Sequence, residues 1–181
     1  PTASDEFLNQ GTYCFTQELP AQPSQIALKD VWGYLDSQES SSISPDMYGE
    51  FIFPSYQKIA GVFGLLSYGC CEPVHSIWEQ YLSTLENLRN VSISAWCDIN
   101  YMGEQLRGKK IVFQRKPSAN FLAVDVELQE NVREYMKETI RAARGCQLEI
   151  TQRDILTIHH NEKKAARYVE IIQEEIEKNW E

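Results

Sequence analysis

Long apolar runs are missing from this sequence. The longest, around Ile59 to Leu66, is interrupted by Gly61 and Gly64 and is too short to cross a bilayer. Basic residues are also scarce: 17 Lys and Arg stand against 26 Asp and Glu, a formal net charge of −9. That balance argues against a nucleic-acid partner, because phosphate binding is driven by clustered cations. No C-x-x-C pair occurs, so a zinc-finger framework is excluded, and any metal site must be assembled from distant segments. No Gly-x-Gly-x-x-Gly follows an apolar strand, and Gly61 to Gly64 precedes one, which argues against a dinucleotide fingerprint or a phosphate-cradling loop. The first six residues, Pro1 to Glu6, carry neither a basic region nor an apolar core and do not read as a signal peptide. They also lack an initiator Met, which fits removal of the Met or a piece of a longer chain.

What is present is ordinary for a globular protein: 43% hydrophobic and 24% charged residues over 181 positions, enough for a single domain spanning 1–181. The five cysteines, at 14, 70, 71, 97 and 146, are scattered apart from one vicinal pair. An odd count without a signal peptide favours reduced thiols in a cytoplasm over a disulfide framework.

Short apolar strands alternate with amphipathic helices. Strand candidates are Thr12–Thr16, Val31–Leu35, Val62–Ser67, Val91–Trp96, Ile111–Gln114 and Cys146–Thr151. Ser44-Pro45-Asp46 is a helix start, with Ser as cap, Pro at the first helical position and Asp at the positive end. That helix carries Met47, Phe51, Tyr56 and Ile59 at three- and four-residue spacing, and Pro54 should kink or split it. Further helices are expected from about Ser76 to Leu85 and near Asn100 to Leu106. A long one follows Asp125 as cap, with Val132, Met136, Ile140 and Ala143 on one face and Gly145 as its stop. The last runs from about Glu162 to Lys178 with Val169, Ile172 and Ile176 inward. Strands separated by helices imply crossover connections, a parallel sheet and an α/β class. The pattern alone does not separate an open sheet from a barrel.

In such folds reactive residues gather just past the C-terminal ends of strands. Cys70, Cys71 and Glu72 occupy that position after Ser67 or Tyr68, Gln38 and Glu39 after Leu35, and Cys97 and Asp98 after Trp96. The vicinal Cys70-Cys71, between Gly69 and Pro73, has the flexible, soft-donor character of a ligand turn. Cys14 and Cys97 read as small buried hydrophobes. His75 reads as a helix start, His159-His160 as a loop pair, and Glu39 as a solvated residue unless it joins a site. Arg115-Lys116-Pro117 suits an anionic group or a solvated rim equally well. Cys146, between a helix stop and a strand, sits at the N-terminal end on the bare pattern. A later strand start or an inward bulge at Gly145-Cys146 would bring its thiol to the site.

Several runs, taken in order and spacing, resemble the uroporphyrinogen decarboxylase superfamily. They are Asp30-Val31-Trp32-Gly33, Ser44-Pro45-Asp46-Met47-Tyr48, Tyr68-Gly69-Cys70-Cys71-Glu72-Pro73, Val91-Ser92-Ile93-Ser94 and Arg115-Lys116-Pro117. Gly145-Cys146-Gln147-Leu148-Glu149-Ile150, Arg153-Asp154-Ile155-Leu156-Thr157 and the closing helix extend the likeness over about residues 11 to 178. The resemblance implies a (β/α)8 TIM barrel nearly twice this length, of which the chain is an incomplete, C-terminal portion holding the later strands and helices. An open partial barrel exposes strand edges and apolar faces, so a missing N-terminal half-barrel or a homo-oligomer is expected to cover them.

Two chemistries occur in the superfamily. Decarboxylation of uroporphyrinogen uses arginines and an aspartate of an N-terminal region without counterpart here. Methyl transfer with a corrinoid protein uses zinc to activate a thiol, through His-x-Cys after a strand and a distant Cys near the last strand. The resemblance places Tyr68 at the His position, Cys70 and Cys146 at the Cys positions, and leaves Glu39 or Glu72 for a third ligand. It thus implies zinc on Cys70, Cys146 and Glu39, with Tyr68 contacting substrate or ligand and Glu72 orienting. The expected activity is methyl transfer between a small-molecule donor or a thiol or folate acceptor and a corrinoid carried by a partner protein. A metal-free, tetrapyrrole-binding carboxy-lyase and a non-catalytic partial barrel that needs a partner are the alternatives.

Overall fold

The computed structural model describes residues 19, 27–124, 126–152 and 155–180. The strand expected at Thr12–Thr16, Cys14, the cap Asp125 and the pair Arg153-Asp154 lie outside the described residues.

Five strands, β1 (Trp32–Leu35), β2 (Leu65–Tyr68), β3 (Leu88–Ile93), β4 (Val112–Arg115) and β5 (Gln147–Ile150), form one sheet in sequence order. β1 pairs with β2, β2 with β3 and β4 with β5, each in parallel. Parallel neighbours need crossovers, and these are helical: α1 (Pro45–Phe51) and α2 (Phe53–Ala60) after β1, then α3 (His75–Trp78) after β2. α4 (Ile99–Leu106) follows β3, α5 (Asn120–Ala123) and α6 (Gln129–Ala142) follow β4, and α7 (Glu162–Asn179) closes the chain. The α/β parallel-sheet class read from the sequence is therefore the observed one.

The chain divides into two units, Pro1–Ser92 and Ile93–Glu181. In the first, the local signals work as their chemistry requires. Ser44 caps α1 by accepting the Met47 N–H at 3.2 Å, and Pro45 takes the first helical position. The chain breaks at Ile52, and Pro54 sits in the first turn of α2, where its missing N–H costs nothing. The expected face is wrong, however: Met47, Phe51 and Ile59 are exposed, whereas Tyr48, Phe53 and Ala60 are buried. Met47 and Phe51 share a side of α1 away from the buried Tyr48, and the break at Ile52 separates Ile59 from their helical phase. The helix expected over Ser76–Leu85 is a single turn, α3, followed by a separate 3-10 turn at Leu82–Thr84.

In the second unit, α6 and α7 pack over Leu122, Val132, Met136, Ile140, Tyr168 and Ile171. The α6 face is the expected one, with Val132, Met136, Ile140 and Ala143 all buried. On α7 the buried positions are Tyr168, Ile171 and Glu175, with Ile172 and Ile176 at the margin of the core and Val169 half exposed. Leu128 stands at the N-cap of α6, so the helix starts later than a cap at Asp125 implies. Gly103 lets α4 approach the end of α6: a Cβ there would lie 2.0 Å from the Ala142 carbonyl oxygen. No helix among the described residues is long and apolar enough to cross a membrane.

Candidate functional site

A polar construction in the first unit lies past the C-terminal ends of β1 and β2. Gly69, the first residue after β2, has φ +101, and a Cβ there would lie 2.9 Å from the Ser92 Cβ. Only glycine adopts that conformation without strain, and it turns the chain so that the Cys70-Cys71-Glu72 segment folds back. Gly69 donates its N–H to the Leu35 carbonyl at 2.8 Å, which joins the two strand ends.

Glu72 locks this corner. It is 4% exposed, and its Oε1 accepts the Ser37 N–H at 2.9 Å while its Oε2 accepts the Cys70 N–H at 2.8 Å. One carboxylate thus satisfies two buried backbone donors from the loops after β1 and β2, which is how a buried charge avoids an unpaired desolvation cost. Ser92, on β3, donates to the Cys70 carbonyl at 2.7 Å. Both backbone groups of Cys70 are therefore held, and Cys70, like Cys71, is a half-buried residue in no disulfide. Glu39 lies on the exposed 3-10 turn Gln38–Ser42 that begins directly after Ser37, so the structure brings this turn and Cys70 to one corner.

A layer of tyrosines supports the corner. Tyr34 donates to the Asp36 carboxylate at 2.6 Å and also approaches the Gly69 carbonyl at 3.3 Å, and Tyr56 donates to the Asp36 carbonyl. Tyr68 is fully buried, with its hydroxyl 2.8 Å from that of Tyr48 on α1. Burial pushes the Tyr48 phenol from the ordinary 10 up to about 12, and pushes Tyr68 further in the same direction. Tyr68 thus spends its hydroxyl on an internal tyrosine.

In the second unit, Cys97 is buried after β3, and Asp98 caps α4 by accepting the Tyr101 N–H at 3.0 Å. β3 ends at Ile93, so these residues belong to the turn and the helix start rather than to the strand end. Arg115 is buried at the end of β4: its Nη1 donates to the Ser94 carbonyl at 2.6 Å, and its guanidinium lies 4.5 Å from the centre of the Tyr135 ring. Burial lowers its pKa from the usual value, and the charge is spent on internal carbonyls and a ring face rather than offered on a rim. Cys146 immediately precedes β5, at the N-terminal end of its strand. Its thiol is buried, donates to the Gly103 carbonyl at 3.4 Å, and is pushed up in pKa by burial. β5 starting at Gln147 brings in no bulge that would move it.

Zinc requires ionised thiolates or carboxylates converging at about 2.0–2.3 Å. Among the described residues no group of three or more His, Cys, Asp or Glu is arranged to hold a metal ion. The described residues do not fit zinc: no converging ligand set is formed, and Cys146 donates its thiol to the Gly103 carbonyl within the second unit. The sequence reading did not anticipate Ser37, Ser92, Tyr34, Tyr48 or Tyr56, although Ser92 and Tyr48 sit inside the runs that carry the resemblance. The sequence matches no known protein family, no curated protein and no solved structure.

Proposed function

We propose that this chain is the C-terminal part of a uroporphyrinogen decarboxylase-like (β/α) barrel that acts in methyl transfer with a corrinoid-carrying partner protein, in a cytoplasm. One observation supports it above others. Cys70 is fixed through both backbone groups, by Glu72 and Ser92, just past the end of a parallel strand, while the residue remains half-buried and outside any disulfide. Rigid presentation of a nucleophilic thiol at a strand end is what a transfer reaction needs. Cys70 is the reacting thiol in this reading, and Glu72 positions it through its backbone N–H.

The test is methyl transfer from methylcobalamin to a thiol acceptor, with metal content measured on protein purified without chelator. Cys70→Ser is expected to reduce transfer to background. Glu72→Gln is expected to lower it about 10- to 100-fold, the usual effect of losing an orienting partner. Transfer unchanged by Cys70→Ser would sink the reading.

A second reading, a partial barrel that needs a partner, is favoured by β5. It ends the sheet order, and beside it lies an apolar groove of about 670 Å³ lined by Leu148, Ile150, Val169, Ile172, Ile176 and Trp180. A monomer on size exclusion that does not bind a hydrophobic dye would count against this reading.

A further inference from the structure

We infer that the C-terminal ends of α6 and α7 form a binding pocket for a small polyphosphate anion of the diphosphate type. The inference concerns the second unit alone and does not rest on methyl transfer. A concave space of about 450 Å³ opens there, lined by Lys137, Ile140, Arg141, Arg144, Lys178 and Asn179. That volume lies within the range of small-ligand pockets, about 300–1,000 Å³. Four of the six lining residues are cations and none is acidic, in a chain whose net charge is −9.

Three of the four cations are uncommitted. Lys137 meets Glu134 at 2.7 Å. Arg141, Arg144 and Lys178 are exposed, and among the described residues their side chains form no ion pair and donate no hydrogen bond. Elsewhere on the same two helices, Arg133 and Arg167 are paired with Glu174, Glu175 and Glu170. The helix pair thus neutralises its other arginines and leaves these charges gathered around one hollow.

Helix stability accounts for only part of the arrangement. Arg141 and Lys178 stand in the last turns of α6 and α7, where a cation complements the helix dipole. Lys137 precedes the last turn of α6 and lies four residues before Arg141, a spacing at which like charges repel along a helix. An anion seated among them removes that repulsion, and guanidinium forks present paired N–H donors that match phosphate oxygens. The frame around the cations is already set. Ile140 is buried, the Asn179 amide is held by the Glu175 carbonyl and carboxylate at 3.0 Å each, and Arg107 donates to the Arg144 carbonyl at 3.0 Å. A second phosphate group in the same molecule engages the remaining cations without a second association cost, which favours a diphosphate over a single phosphate.

The test is isothermal titration of the full chain with inorganic pyrophosphate at low salt, beside orthophosphate as the single-phosphate comparison. One site per chain is expected, with pyrophosphate at least about 10-fold tighter than orthophosphate and weaker as salt is raised. The double variant Arg141→Gln/Arg144→Gln should weaken pyrophosphate about 10-fold. Lys178→Gln, on the other helix, should weaken it less, and Lys58→Gln, an exposed cation of the first unit, should leave it unchanged. Circular dichroism checks that each variant is folded. No saturable binding at millimolar pyrophosphate, or equal losses in Lys58→Gln and the double variant, would overturn the pocket. Vesicles of phosphatidylcholine and phosphatidic acid should not sediment the chain. Sedimentation that the double variant abolishes would overturn the soluble ligand and assign these cations to a lipid headgroup. Pyrophosphate binding by a chain that fails to transfer methyl groups would count against the proposed function alone.

Discussion

Two buried carboxylates, Glu72 in the first unit and Glu175 in the second, are stabilised in opposite ways. Glu175, 1% exposed on α7, meets the Arg133 guanidinium of α6 at 2.8 Å and an Asn179 amide at 3.0 Å. Its charge is matched by a cation, and around it Arg133, Arg167 and Glu174 extend an exposed ionic network that holds the Glu174 carboxyl below its usual pKa. Glu72 instead accepts two backbone N–H groups from two strand-end loops, with Cys70 between them. The first arrangement ties helices together. The second ties two strand-end loops into one corner. The difference shows that burial of a carboxylate alone does not mark a site; what it binds does.

If the α6–α7 pair is held by its apolar seam rather than by its ions, truncating the seam should have the largest effect. Ile171→Ala removes a side chain that is 1% exposed and should cost about 2–5 kcal/mol in urea unfolding. A loss below 1 kcal/mol would shift the weight to the ionic network.

The tyrosine layer under the Cys70 corner makes the next largest prediction. The Tyr48 phenol titrates near 12 when folded and near 10 when unfolded, so the unfolded chain loses its proton first as pH rises. Its contribution is fully present below pH 10 and is lost as pH climbs through 12, a total of about 2–3 kcal/mol. Urea midpoints measured from pH 9 to 11.5 should fall, and Tyr48→Phe should flatten that fall. Identical slopes in the two proteins would remove Tyr48 from the explanation.

Glu72→Gln retains the shape but replaces one acceptor with a donor, so either Ser37 or Cys70 loses its partner, at a cost of about 1–3 kcal/mol. Faster alkylation of Cys70 should accompany it, and a variant with unchanged stability and reactivity would mean that the clamp is not formed. The smallest effect is expected at the exposed end of the ionic network. Arg167→Gln should leave the unfolding midpoint unresolved from that of the parent, because exposed ion pairs contribute little; a clear drop would give the network a larger role.

Much of the fold was legible because the signals that carried it are local. The Ser44-Pro45 start, the split near Pro54, the apolar face of α6 and the stop at Gly145 each follow from residues within one or two turns. The element boundaries were less legible. β3 begins at Leu88 rather than Val91, because Leu88 and Asn90 pair with Leu66 and Ser67 of β2 across a register shift that skips the polar Arg89. Val169 was misread on α7 because its place in the helical period leaves it facing the groove beside β5. Within the candidate site, Cys70 and Glu72 were legible from their place after a strand, and Glu39 proved to lie on the adjoining turn. The clamp itself was not legible, since its contacts join residues 22 to 35 positions apart through backbone groups that no side-chain pattern encodes. Cys146 remained open in the sequence because a later strand start or an inward bulge at Gly145-Cys146, which would redirect its thiol, leaves no mark in the residue pattern.

The most direct measurement is alkylation of the folded chain with iodoacetamide, read site by site by peptide mapping over time. A corner that presents its thiols predicts that Cys70 and Cys71 are modified well before Cys97 and Cys146, which are buried. Modification of Cys146 as fast as Cys70 would contradict the placement of the reactive centre at the end of β2.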